Sequence, residues 1–204
     1  AVPCFDQPDL KGRWSLTLDH PAAWKSVANG AELARAERTG RARVRFATTP
    51  PLPTYVLAFA AGRFEVVDGP PGRHAMRLFH RENDPALLER NRAALFDLHA
   101  RALDFLEAYT GVPHPWGKAD IVLLPALQVG AMEHPGAVFY RSQSLLLDAA
   151  ATPAEQRGRA AVIGHELAHM WFGNLVTMRW FDDVWTKEVF AESLGVAFAD
   201  TQFA

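Results

Sequence analysis

TPAEQRGRAAVIGHELAHMWFGN, residues 152–174, decides how this chain is read. Thr152, Pro153 and Glu155 form a capping-box pattern with proline in the first turn, so a helix begins there, and Gly173 is a natural stop. Inside it, HELAH sets His165 and His169 four residues apart, on one face and one turn from each other. Two neutral imidazoles at that spacing reach a single tetrahedral Zn²⁺. Glu166 is offset from His165 by about 100° around the helix. It stands outside the ligand set but within reach of a water at the metal's open position, the place of a general base.

A zinc site that keeps one position open needs a third protein ligand. Residues 170–187 separate His169 from Glu188, enough chain for a turn and a return crossing. Asp182 or Asp183 would cap the second helix, Glu188 would complete a His₂Glu set, and Glu192, one turn on, would accept a hydrogen bond from a ligand imidazole. One Zn²⁺ per chain is therefore expected. The remaining histidines, 20, 74, 80, 99 and 114, have no partner at metal-ligand spacing and are expected to pack or face solvent.

Upstream, GAMEHPG (130–136) places Glu133 and His134 between two apolar runs. By itself this is a metal site, an acid/base pair or a strand edge that grips a charge. The zinc helix already supplies its own ligands and base, so Glu133 is free for another task. KADIVLLP before it and AVFYRSQSLLLD after it read as strands. Asp84-Pro85 opens a long helix ending at Gly111, with Leu88, Leu95, Ala102, Leu106 and Tyr109 as its buried stripe. Residues 12–67 carry strand signals: RWSLTL and RARVRFA alternate, Asn29-Gly30 reads as a hairpin turn, and TYVLAFAAGRFEVV reads as a buried strand. DGPPG (68–72) marks the boundary. The expected fold class is α+β, with the end of an all-β unit at 1–67 and a mixed α/β unit at 68–204.

A net charge of −2 without a basic stripe argues against nucleic-acid binding. No apolar run approaches the roughly 20 residues of a membrane-spanning helix. A single cysteine, Cys4, excludes an internal disulfide framework, and a cytoplasmic location is the working expectation. The chain opens without Met and ends on a helical pattern, so a piece of a longer protein is expected.

Four blocks in order resemble one family: PCFDQPDLKGRWSLTL, TPPLPTYVLAFAAGRF, GAMEHPGAVFYR, and HELAHMWFGNLVTMRWFDDVW followed by Glu188. They are similar to the aminopeptidase N family of zinc metallopeptidases, which includes leukotriene A4 hydrolase. The resemblance implies a saddle-like N-terminal β domain followed by a thermolysin-like catalytic domain truncated at its C-terminal side. It implies His165, His169 and Glu188 as zinc ligands and Glu166 as general base. It implies that Glu133 pairs with the free α-ammonium of a peptide substrate, whose backbone adds to the strand Gly130, Ala131, Met132, Glu133. The expected activity is release of N-terminal residues from peptides.

The sequence departs from the family at His134, where Asn is commoner, and in WTKEVFAES, where Lys187 and Val189 flank the third ligand. These changes bear on the first specificity pocket. By the resemblance, the transition-state Tyr lies beyond residue 204 and a second amine-binding residue lies upstream of residue 1. Tyr55, Tyr109 and Tyr140 do not match that Tyr's place, so the piece alone should hydrolyse weakly, about 10²–10³ below the whole. Two alternatives stay open: an endopeptidase or bifunctional hydrolase on the same zinc scaffold, and a non-catalytic module of the fold.

Overall fold

The computed structural model describes residues 3–203. Strands β1 (Thr17–Pro21), β3 (Glu32–Arg38) and β4 (Arg41–Phe46) make an antiparallel sheet in the order β1-β4-β3. Its hairpin turns at Thr39-Gly40, both with positive φ (53° and 73°), as a tight two-residue turn demands. Asn29-Gly30, expected to be the hairpin, is not one. It leads from β2 (Lys25–Ala28) to β3, and β2 pairs instead with β5 (Phe59–Gly62). The Asn29 side chain is committed elsewhere: its amide donates to the carbonyls of Val56 (3.0 Å) and Pro135 (2.9 Å), and its oxygen accepts from the Ala58 N–H.

TYVLAFAAGRFEVV is also not one strand. Residues 54–56 form a 3₁₀ turn, β5 follows, and the chain bends at Arg63 into β6 (Glu65–Asp68), which belongs to a different sheet. Phe64 is buried at that bend. Strand β6 pairs antiparallel with β7 (Arg77–His80), so the sheet that carries the site starts just before residue 68.

That sheet runs β6-β7-β8-β10-β9, with β8 (Asp120–Leu124) central and parallel to both β7 and β10 (Ala137–Arg141). Both faces are covered, which is why β8 from Ile121 to Leu124 and β10 from Ala137 to Tyr140 are continuous apolar runs. Ile121, Leu123, Val138 and Tyr140 face the helices; Val122, Ala137 and Phe139 face Val27, Ala58 and Phe64 of the β-rich part. Strand β10 ends at Arg141 and passes into a short helix, α2 (Ser142–Leu145), so SQSLLLD is not strand. β9 (Ala131–Met132) pairs with β10 on one side only and forms the sheet's edge.

Helix α1 (Pro85–Thr110) starts where Asp84 accepts from the N–H groups of Ala86 and Leu87 and stops at Gly111 with φ 70°. Leu95, Ala102 and Leu106 are fully buried, but Leu88 is only half-buried and Tyr109 is 60% exposed. Helices α3 (Pro153–Ala168) and α4 (Val184–Phe203) lie against each other and complete the layer. The architecture is α+β: β-rich first, then a mixed sheet under three long helices. Among the described residues, no helix is long and apolar enough to cross a membrane.

Candidate metal centre

The capping box of α3 forms in full: Thr152 Oγ1 accepts from Glu155 N–H, and Glu155 accepts from Thr152 N–H at 2.7 Å. The helix ends at Ala168, one turn before the expected stop. His169 keeps helical dihedrals as the C-cap, so its ring still lies one turn above His165, edge-on to it. Gly173, at φ 118°, turns the chain out, and a 3₁₀ turn at Phe181–Asp183 leads into α4.

Close approach of α3 and α4 is what brings Glu188 to the histidines. Gly164 and Gly195 face one another at the crossing. A Cβ on Gly195 would lie 2.7 Å from the Ala161 carbonyl oxygen and 2.9 Å from the His165 nitrogen. With no side chain there, three donor atoms converge. His165 Nε2 and His169 Nε2 are 3.1 Å apart, and Glu188 Oε2 is 3.5 and 3.6 Å from them.

The other end of each donor is held from outside. His169 Nδ1 donates to the Phe172 carbonyl at 3.0 Å, and His165 Nδ1 faces Glu192 Oε2 at 3.4 Å. Glu188 Oε1 accepts from the Lys187 ammonium at 2.5 Å. In the tautomer that points both Nδ1 protons outward, two imidazole lone pairs and a carboxylate oxygen face one another. Three donor atoms so placed can hold a cation. Ligands about 2.0–2.1 Å from a tetrahedral zinc stand roughly 3.3–3.4 Å from each other, and the observed triangle matches. The residues present therefore fit one zinc ion.

Glu166 is buried beside this triangle. Burial first, and the charge of Glu133 second, push its carboxyl pKa up to about 8. It lines a cavity of about 360 Å³ with His165, Glu192, Gly130 and Ala131. Met132 does not reach this cavity; it lies with Phe139 and Leu127 on the other side of the sheet. Glu133 is buried, and its backbone carbonyl accepts from the Asn174 side chain at 2.9 Å. Its carboxylate is already partnered: Lys187 Nζ lies 2.7 Å from Oε1. Burial pushes the Glu133 carboxyl up, but His169 and Lys187 outweigh it and hold the pKa below the usual value.

The chain belongs to peptidase family M1. The family's catalytic domain model, "Peptidase family M1 domain", matches residues 94–204, and "Peptidase M1 N-terminal domain" matches residues 1–56. Similar M1 proteins include the puromycin-sensitive aminopeptidase of Caenorhabditis elegans, 36% identical over 203 residues (97% of this chain, 21% of that protein). Aminopeptidase N of Homo sapiens is 35% identical over 209 residues (98% and 21%). The leucyl aminopeptidase of Saccharolobus solfataricus is 33% identical over 190 residues (93% and 24%). The chain thus spans between a fifth and a quarter of the length of these relatives. Within this M1 chain, the structure brings His165, His169, Glu188, Glu192 and Glu166 together as a group, with Gly130 and Ala131 across the cavity. Sequence reading missed the contact of Lys187 with Glu133, the Phe172 carbonyl behind His169, and Asn174 beneath Glu133. Lys187 was visible only as a departure from the family motif.

A second group, His74, Asp104 and Glu107, also has donor atoms close together. Arg73 already pairs with both of its carboxylates, so a cation is in place there.

Proposed function

We propose that this chain carries the metal-binding and substrate-positioning elements of a zinc aminopeptidase. The observation that carries the proposal is the convergence of His165 Nε2, His169 Nε2 and Glu188 Oε2. What zinc supplies when bound is Lewis acidity toward a carbonyl oxygen and the acidification of water.

The chain's own groups do the rest. Glu166, buried at the cavity wall, takes the proton of the attacking water and passes it to the leaving amine. The free edge of β9 gives a peptide backbone a strand to join, and Gly130 presents no side chain to obstruct it. Glu133, at the end of that edge, supplies the carboxylate toward which a terminal ammonium is drawn. The names of the relatives, aminopeptidases all, support the same reaction class.

In the full-length protein, Glu166→Gln should lower turnover by about 10²–10⁴ while zinc content stays at one equivalent. Retained turnover in that variant removes Glu166 from the role. Parallel assays on N-acetylated peptides separate the aminopeptidase from an endopeptidase on the same scaffold.

A further inference from the structure

Asn29, which opens no hairpin, reaches instead to the turn that follows Glu133. Its buried side-chain amide donates to the Val56 carbonyl at 3.0 Å and the Pro135 carbonyl at 2.9 Å, while its oxygen accepts from the Ala58 N–H at 2.8 Å. Both N–H groups and the oxygen are thus in use. The Val56 carbonyl also accepts from His134 Nδ1 at 3.2 Å. The two residues after Glu133 are therefore tied to the β-rich part through one amide and one carbonyl. The main chains touch there as well, since a Cβ on Gly136 would lie 2.3 Å from the Asn29 carbonyl oxygen.

The sheet gives Glu133 little hold of its own. Strand β9 has two residues, pairs on one side only, and stops at Met132. Glu133 is held instead between Asn174, which donates to its carbonyl at 2.9 Å, and the Asn29 amide two residues on. Without that amide the Pro135 carbonyl loses its donor inside the fold, a penalty the turn relieves by swinging toward water. Such a swing pulls on Glu133, and a shift of about 1 Å in a group that places a substrate costs up to about a hundredfold.

We infer that Asn29 is a positioning residue for Glu133: from the β-rich part, it sets where the carboxylate that meets a substrate's ammonium stands relative to the metal centre. This rests on the reading of Glu133 as the amine-binding carboxylate. His134 acts on the same turn through the carbonyl it shares with Asn29.

The test uses the full-length, zinc-loaded protein and two probes, phenylalaninamide and its des-amino counterpart 3-phenylpropanamide. Calorimetry gives the ratio of their affinities, and hydrolysis of phenylalanine anilide separates KM from kcat. The wild type should bind the free amine at least about tenfold more tightly, as a hydrogen bond to a charged group provides. Asn29→Ala should lower that ratio at least about fivefold through the free amine alone, with KM rising more than kcat falls and one zinc retained. Asn29→Ser, whose hydroxyl can donate to one of the two carbonyls, should fall between, and it decides the question if Asn29→Ala does not fold. Asn91→Ser removes an equally buried amide, one that donates to the Leu87 and Leu147 carbonyls away from the motif, and should keep the wild-type ratio. An unchanged ratio in the Asn29 variants overturns the inference, and so does an equal fall in Asn91→Ser. If the wild type binds both probes alike, the reading of Glu133 fails and takes the inference with it. If the wild type prefers the free amine and the Asn29 variants keep that preference, the inference alone fails.

Discussion

Gly195→Ala should cost zinc before it costs the fold. The added Cβ would stand 2.7 Å from the Ala161 carbonyl oxygen, 2.9 Å from the His165 nitrogen and 3.1 Å from His165 Cβ, whereas ordinary contact begins at 3.4 Å. Two of these neighbours are helix backbone and cannot rotate aside, so α4 must retreat from α3 by about 0.7 Å. Metal-ligand distances tolerate only about 0.2 Å, and Glu188 rides on the helix that moves. The stability balance is milder. Overpacking costs about 1–3 kcal/mol, and alanine returns about 0.8–1.0 kcal/mol of helix propensity over glycine, leaving a net loss of roughly 0–2 kcal/mol. Zinc affinity, measured by competition with a chelator, should fall by at least about tenfold, the low end of what disturbing even an outer partner of a ligand does. The thermal midpoint in excess chelator should move by only a few degrees. Gly158, on the exposed face of α3 with open space where its Cβ would go, is the control. Gly158→Ala should leave zinc affinity unchanged and raise stability by up to about 1 kcal/mol. Wild-type zinc affinity in Gly195→Ala would refute the claim that helix proximity sets the site.

Two further outcomes follow from the same geometry. Glu192→Gln, which removes the charge facing His165 Nδ1 at 3.4 Å, should weaken zinc affinity by about 10–100-fold without touching the three donors; unchanged affinity in chelator competition would show that Glu192 orients nothing. His99 is fully buried, donating from Nδ1 to the Leu95 carbonyl and bonded through Nε2 to Tyr140, and burial lowers its pKa from 6.5 to about 4. Below pH 6.5 the unfolded chain binds a proton there that the folded chain refuses, so stability is full above that pH and falls between pH 6.5 and 4. The loss from pH 7.5 to 4.5 is about 2–3 kcal/mol. The difference in unfolding free energy between the two pH values, taken from urea titrations, should shrink by that amount in His99→Gln, and parallel profiles in wild type and variant would refute the assignment.

What was legible in the sequence was what neighbouring residues decide. The capping box at Thr152, the Asp84-Pro85 start, the Gly111 stop and the HELAH spacing are each settled within a few residues, and each forms. Asn29-Gly30 misled because its side chain serves partners at Val56, Ala58 and Pro135. Its three long-range hydrogen bonds outweigh a hairpin preference that Thr39-Gly40 satisfies instead. TYVLAFAAGRFEVV reads as one strand by composition, yet the bend at Arg63 lets a single apolar run serve two sheets. The site divides in the same way. The proposed ligands His165 and His169 and the proposed base Glu166 are neighbours on one helix, but the Lys187–Glu133 pair joins residues 54 apart in sequence, and only the packing of α4 brings them together.

That pair also shows how the cavity is assembled as one unit. The segment at Glu133 is clamped from two directions: Asn174, on the return from the histidine helix, donates to the Glu133 carbonyl, and Asn29 of the β-rich part donates to the Pro135 carbonyl. Lys118 adds a third tie, donating to the carbonyls of Ala28 and Gly136. A residue held so firmly at its backbone has few ways to relieve an unfavourable charge except by its side-chain partner. Burying Glu133 unpaired would cost several kcal/mol, so the fold requires a cation there whether or not a substrate is present. Lys187, one residue before Glu188, satisfies that requirement within the chain itself. The placement of Glu188 on α4 therefore fixes the ammonium at Glu133 as well, so one helix sets both the carboxylate beside the two histidines and the cation that neutralises Glu133.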